Sequence, residues 1–175
     1  MEIRNYATDV AIIGGGGAAL RAAIEASEKG QKVILVDKGR PGRSGATPCA
    51  LWSVQAPFGS RGQDERDSPE QFFEDMVRAG RFIGDQNLVE VVAFTACDRM
   101  LDLERYGVHF KTHDDGRFYQ TPMPGQTYPR SCFMIENGQH MSTVLAKEVS
   151  KHDNIQVFRD FFVFNLLKNA DSVVG

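Results

Sequence analysis

Residues 9–21 read Asp9-Val-Ala-Ile-Ile-Gly-Gly-Gly-Gly-Ala-Ala-Leu-Arg21, and residues 32–38 read Lys32-Val-Ile-Leu-Val-Asp-Lys38. Val10 to Ile13 form the short apolar run that a buried parallel strand needs. Gly14, Gly16 and Ala19 then occupy the three small positions of G-x-G-x-x-G/A. Gly14 permits a tight turn out of the strand, and Gly16 leaves the backbone open to a pyrophosphate. Ala19 lets the following helix lie close to the sheet. That helix is expected from about Gly16 to Lys29, with its free N–H groups and positive dipole end facing the phosphates. Leu20, Ala23, Ile24 and Ser27 give it one small, mostly apolar face, and Gly30 is its stop. Lys32 to Val36 read as a second buried strand. Asp37 ends it, 23 residues after Gly14, where a carboxylate can accept ribose hydroxyls. Strand, turn, helix, strand and terminal acid in this order predict a dinucleotide site in an α/β, Rossmann-like fold with a parallel sheet.

Working outward, the 175 residues suffice for one domain with a core, so residues 1–175 are read as a single unit. A hydrophobic content of 42% is that of a globular chain, and a net charge of -3 gives no reason to expect nucleic acid as a partner. No apolar run approaches the roughly 20 residues of a spanning helix. The start, Met-Glu-Ile-Arg-Asn, has neither the apolar stretch nor the cleavage site of a signal peptide. Cys49, Cys97 and Cys132 are odd in number and far apart, which favours a reducing cytoplasm and argues against a metal or iron–sulfur site in this chain. The four histidines form no ligand set, and no catalytic acid, base or nucleophile is assigned.

After Asp37, the segment from Lys38 to Trp52 is too rich in Gly and Pro for a helix. Its backbone amides, Arg40, Arg43, Ser44 and Thr47 suit an anionic, flat ligand. Leu51 and Trp52 call for something to cover them. Residues 55–68 look polar and irregular. Ser68-Pro69-Glu70-Gln71 starts a helix with Phe72, Phe73, Met76 and Val77 on its apolar face, ended by Gly80. Asp85 caps a longer helix from Gln86 towards Tyr106, in which Leu88, Val91, Val92, Leu101 and Leu103 are expected in the core and Gly107 closes the end. Val108–Phe110 and Phe118–Gln120 flank Asp114-Asp115-Gly116 as a hairpin signal. Thr121–Arg130 is expected to be irregular. Gly138 opens a further helix. Ile155–Phe158 and Phe162–Leu167 read as strands, the latter turning through Ala170-Asp171-Ser172 into Val173-Val174.

These motifs together resemble the N-terminal part of the flavoprotein subunits of succinate dehydrogenase and fumarate reductase, with L-aspartate oxidase and adenylylsulfate reductase as relatives. The resemblance rests on Gly14–Ala19, Arg43-Ser44, Ile83-Gly84-Asp85-Gln86 and the run from Asp114 to Gln120, and it ends with Leu167-Lys168-Asn169 and Val173-Val174-Gly175. It implies an FAD-binding domain, N-terminal portion only, without the capping domain. Gly14, Gly15, Gly16, Gly17, Ala18, Ala19 and Asp37 would hold the ADP half of FAD. Lys38 and the stretch Ser44, Gly45, Ala46, Thr47 through Ala50 and Leu51 would hold the flavin side, and the Val163 backbone would lie near the adenine. It also implies a small organic acid as substrate, hydride transfer through the flavin, and partnership with the remaining flavoprotein portion or an iron–sulfur subunit. Cytoplasmic placement follows, peripheral to the membrane where partners hold it there.

Three departures narrow the analogy. The covalent relatives carry a histidine after Arg-Ser, where this chain has Gly45, so FAD is expected to be bound non-covalently. Their Gln-Gly-Gly aligns with Ala50-Leu51-Trp52, and a substrate-facing Phe aligns with Met123. The family's substrate-binding and proton-donating residues lie beyond the stretch matched. Two other readings stay open on the residues alone: an NAD(P)-binding reductase domain, and a nucleotide-binding fragment without turnover.

Overall fold

The structure, a computed structural model, describes residues 4–175. Met1–Ile3, part of the stretch that carries no signal-peptide pattern, lie outside the described residues. In chain order the elements are β1 (Val10–Ile13), α1 (Gly17–Glu28), β2 (Val33–Asp37), β3 (Ser53–Gln55), α2 (Pro69–Ala79), α3 (Gln86–Tyr106), β4 (Gln120–Thr121), β5 (Ser131–Phe133), α4 (Gly138–Val149), β6 (Ile155–Arg159), β7 (Lys168–Asn169) and β8 (Ser172–Val173). They gather into two compact units. One comprises the chain up to Cys49 together with Gly138–Gly175, and the other Ala50–Asn137.

The first unit carries a three-stranded sheet in the order β1-β2-β6. β1 pairs parallel with β2, Val10 opposite Val33, and β2 pairs parallel with β6, Val36 opposite Phe158. The central strand β2 is the most apolar, and Val33 and Leu35 are buried completely or nearly so. Lys32, expected in the strand, instead lies just before it, where its N–H donates to Asp9 Oδ2 at 2.8 Å. α1 buries Leu20, Ala23, Ile24 and Ser27, the four residues its periodicity selects. Each fully buried Leu or Ile there contributes on the order of 2 kcal/mol. Behind α1, the Ser27 hydroxyl donates to Asn154 Oδ1 and meets His152 Nδ1, both at 2.6 Å. This ties the end of the helix to the start of β6.

One expectation fails in this unit. Phe162–Leu167 is not a strand: the backbone runs outside any sheet from Phe161 to Leu167, and the strands beyond are β7 and β8, an antiparallel pair closed by Ala170-Asp171. An apolar run alone does not make a strand without a neighbour to pair with, and Phe162 and Phe164 stay exposed.

The second unit holds a small antiparallel sheet, β3-β5-β4, with α2 against α3. The stretch 55–68, expected to be irregular, contributes the last residue of β3, Gln55, and a short helical turn, Gly59–Arg61. Ser68 caps α2 by accepting from the Gln71 N–H at 3.2 Å, and Asp85 caps α3 by accepting from the Asn87 N–H at 2.9 Å. Gly107 closes α3 in the left-handed region at φ 109°, as a C-terminal glycine should. The hairpin over Asp114–Gly116 forms: the His113 N–H donates to the Arg117 carbonyl at 2.9 Å and Thr112 bridges Phe118. The core is Phe58, Phe72, Met100, Val108, Phe110, Phe118, Cys132 and Met134. Leu88, Val91 and Val92 are not part of it. They are exposed, and only Leu101 and Leu103 of the five expected core residues are half-buried. The helical period is right, but the described elements place nothing against that face.

At the centre of this unit lies a buried ion cluster that no sequence pattern announced. The Arg130 guanidinium is fully buried and its Nη2 reaches Asp67 Oδ1 at 2.7 Å and Asp75 Oδ2 at 2.8 Å. It also lies 4.8 Å from the Phe72 ring centroid. Asp75 accepts from the Thr127 N–H at 2.8 Å and its hydroxyl at 2.7 Å. Burial, only partly offset by Arg130, pushes the Asp67 carboxyl up to about 6. Burial also acts to raise Asp75, but the Thr127 amide and hydroxyl together with Arg130 outweigh it and hold that carboxyl below its ordinary range.

Candidate functional site

The carboxyl ends of β1 and β2 open onto a groove of ≈ 310 Å³ in the first unit. Ligands of open parallel sheets bind at this end of the strands. Gly14 leaves β1 at φ 118°, a conformation that L side chains rarely adopt, and its N–H still donates to the Val36 carbonyl at 2.8 Å. The turn is thus anchored to the sheet while it bends. Gly16, at φ -80° and ψ 177°, precedes α1 and offers no side-chain cap to the helix amides. A Cβ on Gly16 would fall 3.3 Å from the Ser44 carbonyl oxygen. The backbone here is a narrow cradle with the first-turn N–H groups of α1 at its end.

Asp37 forms one wall. It is buried, and Oδ2 accepts from the Ser44 hydroxyl at 2.5 Å. A hydroxyl has a single proton, so this bond fixes Ser44 and leaves the other carboxylate oxygen for a ligand. The segment after β6 crosses the end of β2: the Phe161 N–H donates to the Asp37 carbonyl at 3.1 Å, and the Asp160 N–H to the Gly39 carbonyl at 3.2 Å. That brings Phe161, Phe162 and Val163 to the groove.

The loop from Lys38 to Cys49 is held in three places. The Gly42 N–H donates to the Gly15 carbonyl at 2.9 Å. Gln139 of α4 donates to the Gly42 carbonyl at 3.2 Å. Thr47 Oγ1 accepts from the Gly17 N–H at 3.1 Å. The loop is therefore a fixed part of the unit, and of its cations Lys38 lines the groove.

Of the residues that sequence and resemblance single out, Gly14, Gly15, Gly16, Asp37, Lys38, Ser44, Gly45 and Val163 line this groove. Gly17, Ala18 and Ala19 form the first turn of α1. Ala46 and Thr47 follow in the loop. Ala50 and Leu51 fall in the second unit, where Leu51 is 65% exposed. Trp52 beside it is not covered either, although it stacks on Phe133 with ring centroids 6.2 Å apart. Ile13, Val36, Phe161 and Phe162 line the groove without having been singled out. Ile13 and Val36 were recoverable, as the last apolar residues of the two strands. Gly15 is the tightest position: a Cβ there would lie 2.6 Å from Asp37 Oδ2 and 2.8 Å from Pro41 Cα. The fingerprint treats it as a free position.

The groove fits a dinucleotide on its own features: a glycine cradle that a side chain would fill, a helix start whose N-cap residue, Gly16, has no side chain to cap it, and a buried carboxylate with an oxygen to spare. The cysteines offer no thiolate chemistry in the second unit, where burial pushes Cys97 up to about 11 and Cys132 to about 12. Among the described residues no helix is long and apolar enough to cross a membrane.

Comparison with known proteins gives a consistent result. The FAD binding domain family matches residues 9–175. The chain is 42% identical to a fumarate reductase (CoM/CoB) subunit of Methanothermobacter marburgensis over 176 aligned residues, which cover 100% of this chain and 32% of that protein. It is 31% identical to the succinate dehydrogenase flavoprotein subunit of Rickettsia bellii, covering 95% of this chain and 28% of that protein. The solved structure of Mycobacterium smegmatis Sdh1 in complex with UQ1 superposes with a TM-score of 0.87 at 30% identity, over 96% of this chain and 30% of the other. The chain thus spans about a third of the length of the curated relatives it matches.

Proposed function

This chain belongs to the FAD binding domain family, and on that premise we propose that it is the FAD-binding portion of a flavoprotein oxidoreductase of the succinate dehydrogenase and fumarate reductase type. Its substrate is a small organic acid. The observation that carries the reading is the groove at the ends of β1 and β2. There, the glycine turn that leads into α1 and the buried Asp37 share one surface.

FAD, when bound, supplies the hydride chemistry of the enzyme. The chain's own residues bind and orient it. The glycine turn and first turn of α1, Gly14 to Ala19, would take the pyrophosphate, and Asp37 would accept from the ribose. The Val163 backbone, at the groove wall, would lie near the adenine. Lys38, Ser44, Gly45, Ala46 and Thr47 would hold the flavin side, and the resemblance extends that role to Ala50 and Leu51, which follow them in sequence. Buried in the unit and held by Ser44, Asp37 presents a charge-assisted acceptor to the ribose. Gly45 stands where covalent relatives have histidine. A glycine has no nucleophilic nitrogen, so FAD is held without a covalent bond. The partner of this chain is the remaining flavoprotein portion, which would carry the substrate contacts, or an iron–sulfur electron-transfer subunit.

Purification with added FAD followed by acid precipitation tests this. All the flavin should leave with the supernatant, and the native chain should be yellow. A chain that takes up NAD(H) but no flavin would contradict the reading, and flavin kept in the acid pellet would contradict the role given to Gly45.

A further inference from the structure

The first half of α3 carries Leu88, Val91 and Val92 at spacings of three and four, so they form one stripe, and they are 65%, 59% and 50% exposed. In the turn before the helix, Phe82 and Ile83 are 70% and 90% exposed. That turn is not slack. Arg81 and Phe82 both adopt the left-handed region, at φ 53° and 63°. Two consecutive non-glycine residues there cost on the order of 1–2 kcal/mol each. The strain is borne while an aromatic ring is held in water. Between the end of α2 and the start of α3 lies a notch of ≈ 100 Å³ with Met76, Val77, Phe82 and Val89 among its walls. It is large enough for one apolar side chain.

A solvated helix face does not require such a stripe, and its contiguity marks a surface built to be covered. More than two thirds of the length of the fumarate reductase and succinate dehydrogenase relatives lies outside the part this chain matches, while the match itself includes α3. We propose that the stripe Leu88–Val91–Val92, with Phe82 and Ile83, is the docking face for the polypeptide that corresponds to the remainder of these relatives. One of its apolar side chains fills the notch beside Val89 as the anchor. The proposal rests on the flavoprotein reading above, and it concerns the second unit, whereas the FAD groove lies in the first.

The test replaces the matched part of the Methanothermobacter marburgensis protein with this chain. The double substitution Leu88→Glu with Val91→Glu, and the milder Val91→Ser, are then placed in both the chimera and the 175-residue chain. In the chain alone the charged pair should leave the melting temperature within about 2 °C, since both side chains already face water. In the chimera it should lower it by about 5 °C or more, and Val91→Ser by a smaller step in the same direction. Equal shifts in both proteins, no shift in either, a chimera that does not fold, or a concentration-dependent dimer of the chain alone that the charged pair abolishes would each overturn the proposal. Retained FAD is read separately in the unsubstituted chain, so failure of the cofactor reading is told apart from failure of the docking face.

Discussion

Each unit buries aspartates, and the two sets are put to opposite use. Asp37 in the first unit is 3% exposed, accepts one hydrogen bond from the Ser44 hydroxyl, and stands at the wall of a groove. Asp67 and Asp75 in the second unit are 4% and 3% exposed and share one guanidinium, that of Arg130. A carboxylate already met by a protein cation has little to offer a ligand. One held by a single neutral donor does. Burial alone therefore does not mark a binding carboxylate; the partner does. Asp37 is poised for recognition, while Asp67 and Asp75 fix α2 to the segment before β5.

The contrast can be broken most severely at Arg130. Arg130→Met leaves two buried carboxylates without their cation and should cost about 3–5 kcal/mol in unfolding free energy, read from denaturant melts. A loss below about 1 kcal/mol would mean the cluster is not what holds this unit together.

Next comes pH. The folded-state pKa of Asp67 is raised to about 6 from 3.8 because burial outweighs Arg130. The folded state therefore binds this proton more tightly than the unfolded one. The stability it contributes is full below about pH 4 and is lost as pH rises through about 6, a change on the order of 3 kcal/mol. Urea midpoints from about pH 4 to about pH 7 should fall in the wild type more steeply than in Asp67→Asn. Parallel profiles would show that Asp67 does not titrate as described.

A smaller effect sharpens the other half of the comparison. In Gly15→Ala the new methyl meets Asp37 Oδ2 and the Pro41 backbone, which should cost about 1–3 kcal/mol and weaken FAD binding. Gly16→Val should harm binding with less effect on stability, since its neighbour at 3.3 Å is the Ser44 carbonyl that lines the cradle. If Gly15→Ala were neutral in both assays, the packing of Asp37 against the turn would be disproved.

How far the sequence could be read follows from where each residue finds its partner. β1, α1, β2 and Asp37 were legible because strand, turn and helix supply one another's contacts within about 30 residues, and the small positions carry their own stereochemical reasons. Gly15 was not, since its crowding comes from Asp37 and Pro41, which reach it only in three dimensions. The Ser44 bond to Asp37 was hidden too, because a serine in a Gly-rich loop looks like any other. Arg130 gave no signal: a lone arginine in Tyr-Pro-Arg reads as surface, and only the distant Asp67 and Asp75 make burial tolerable. For Leu88, Val91 and Val92 the period was right and the inference of burial wrong, because periodicity shows that a face is apolar but not what covers it. Phe162–Leu167 failed for the same reason.

The most direct test is an FAD titration of the purified chain and of Asp37→Ala, followed by flavin fluorescence, with NAD as competitor. The expected result is saturable binding by the wild type, no displacement by NAD, and a loss of about 1–3 kcal/mol in Asp37→Ala, a factor of roughly 5 to 150 in dissociation constant. Equal affinity of the two proteins for FAD, or displacement of flavin by equimolar NAD, would contradict the assignment of this groove to FAD.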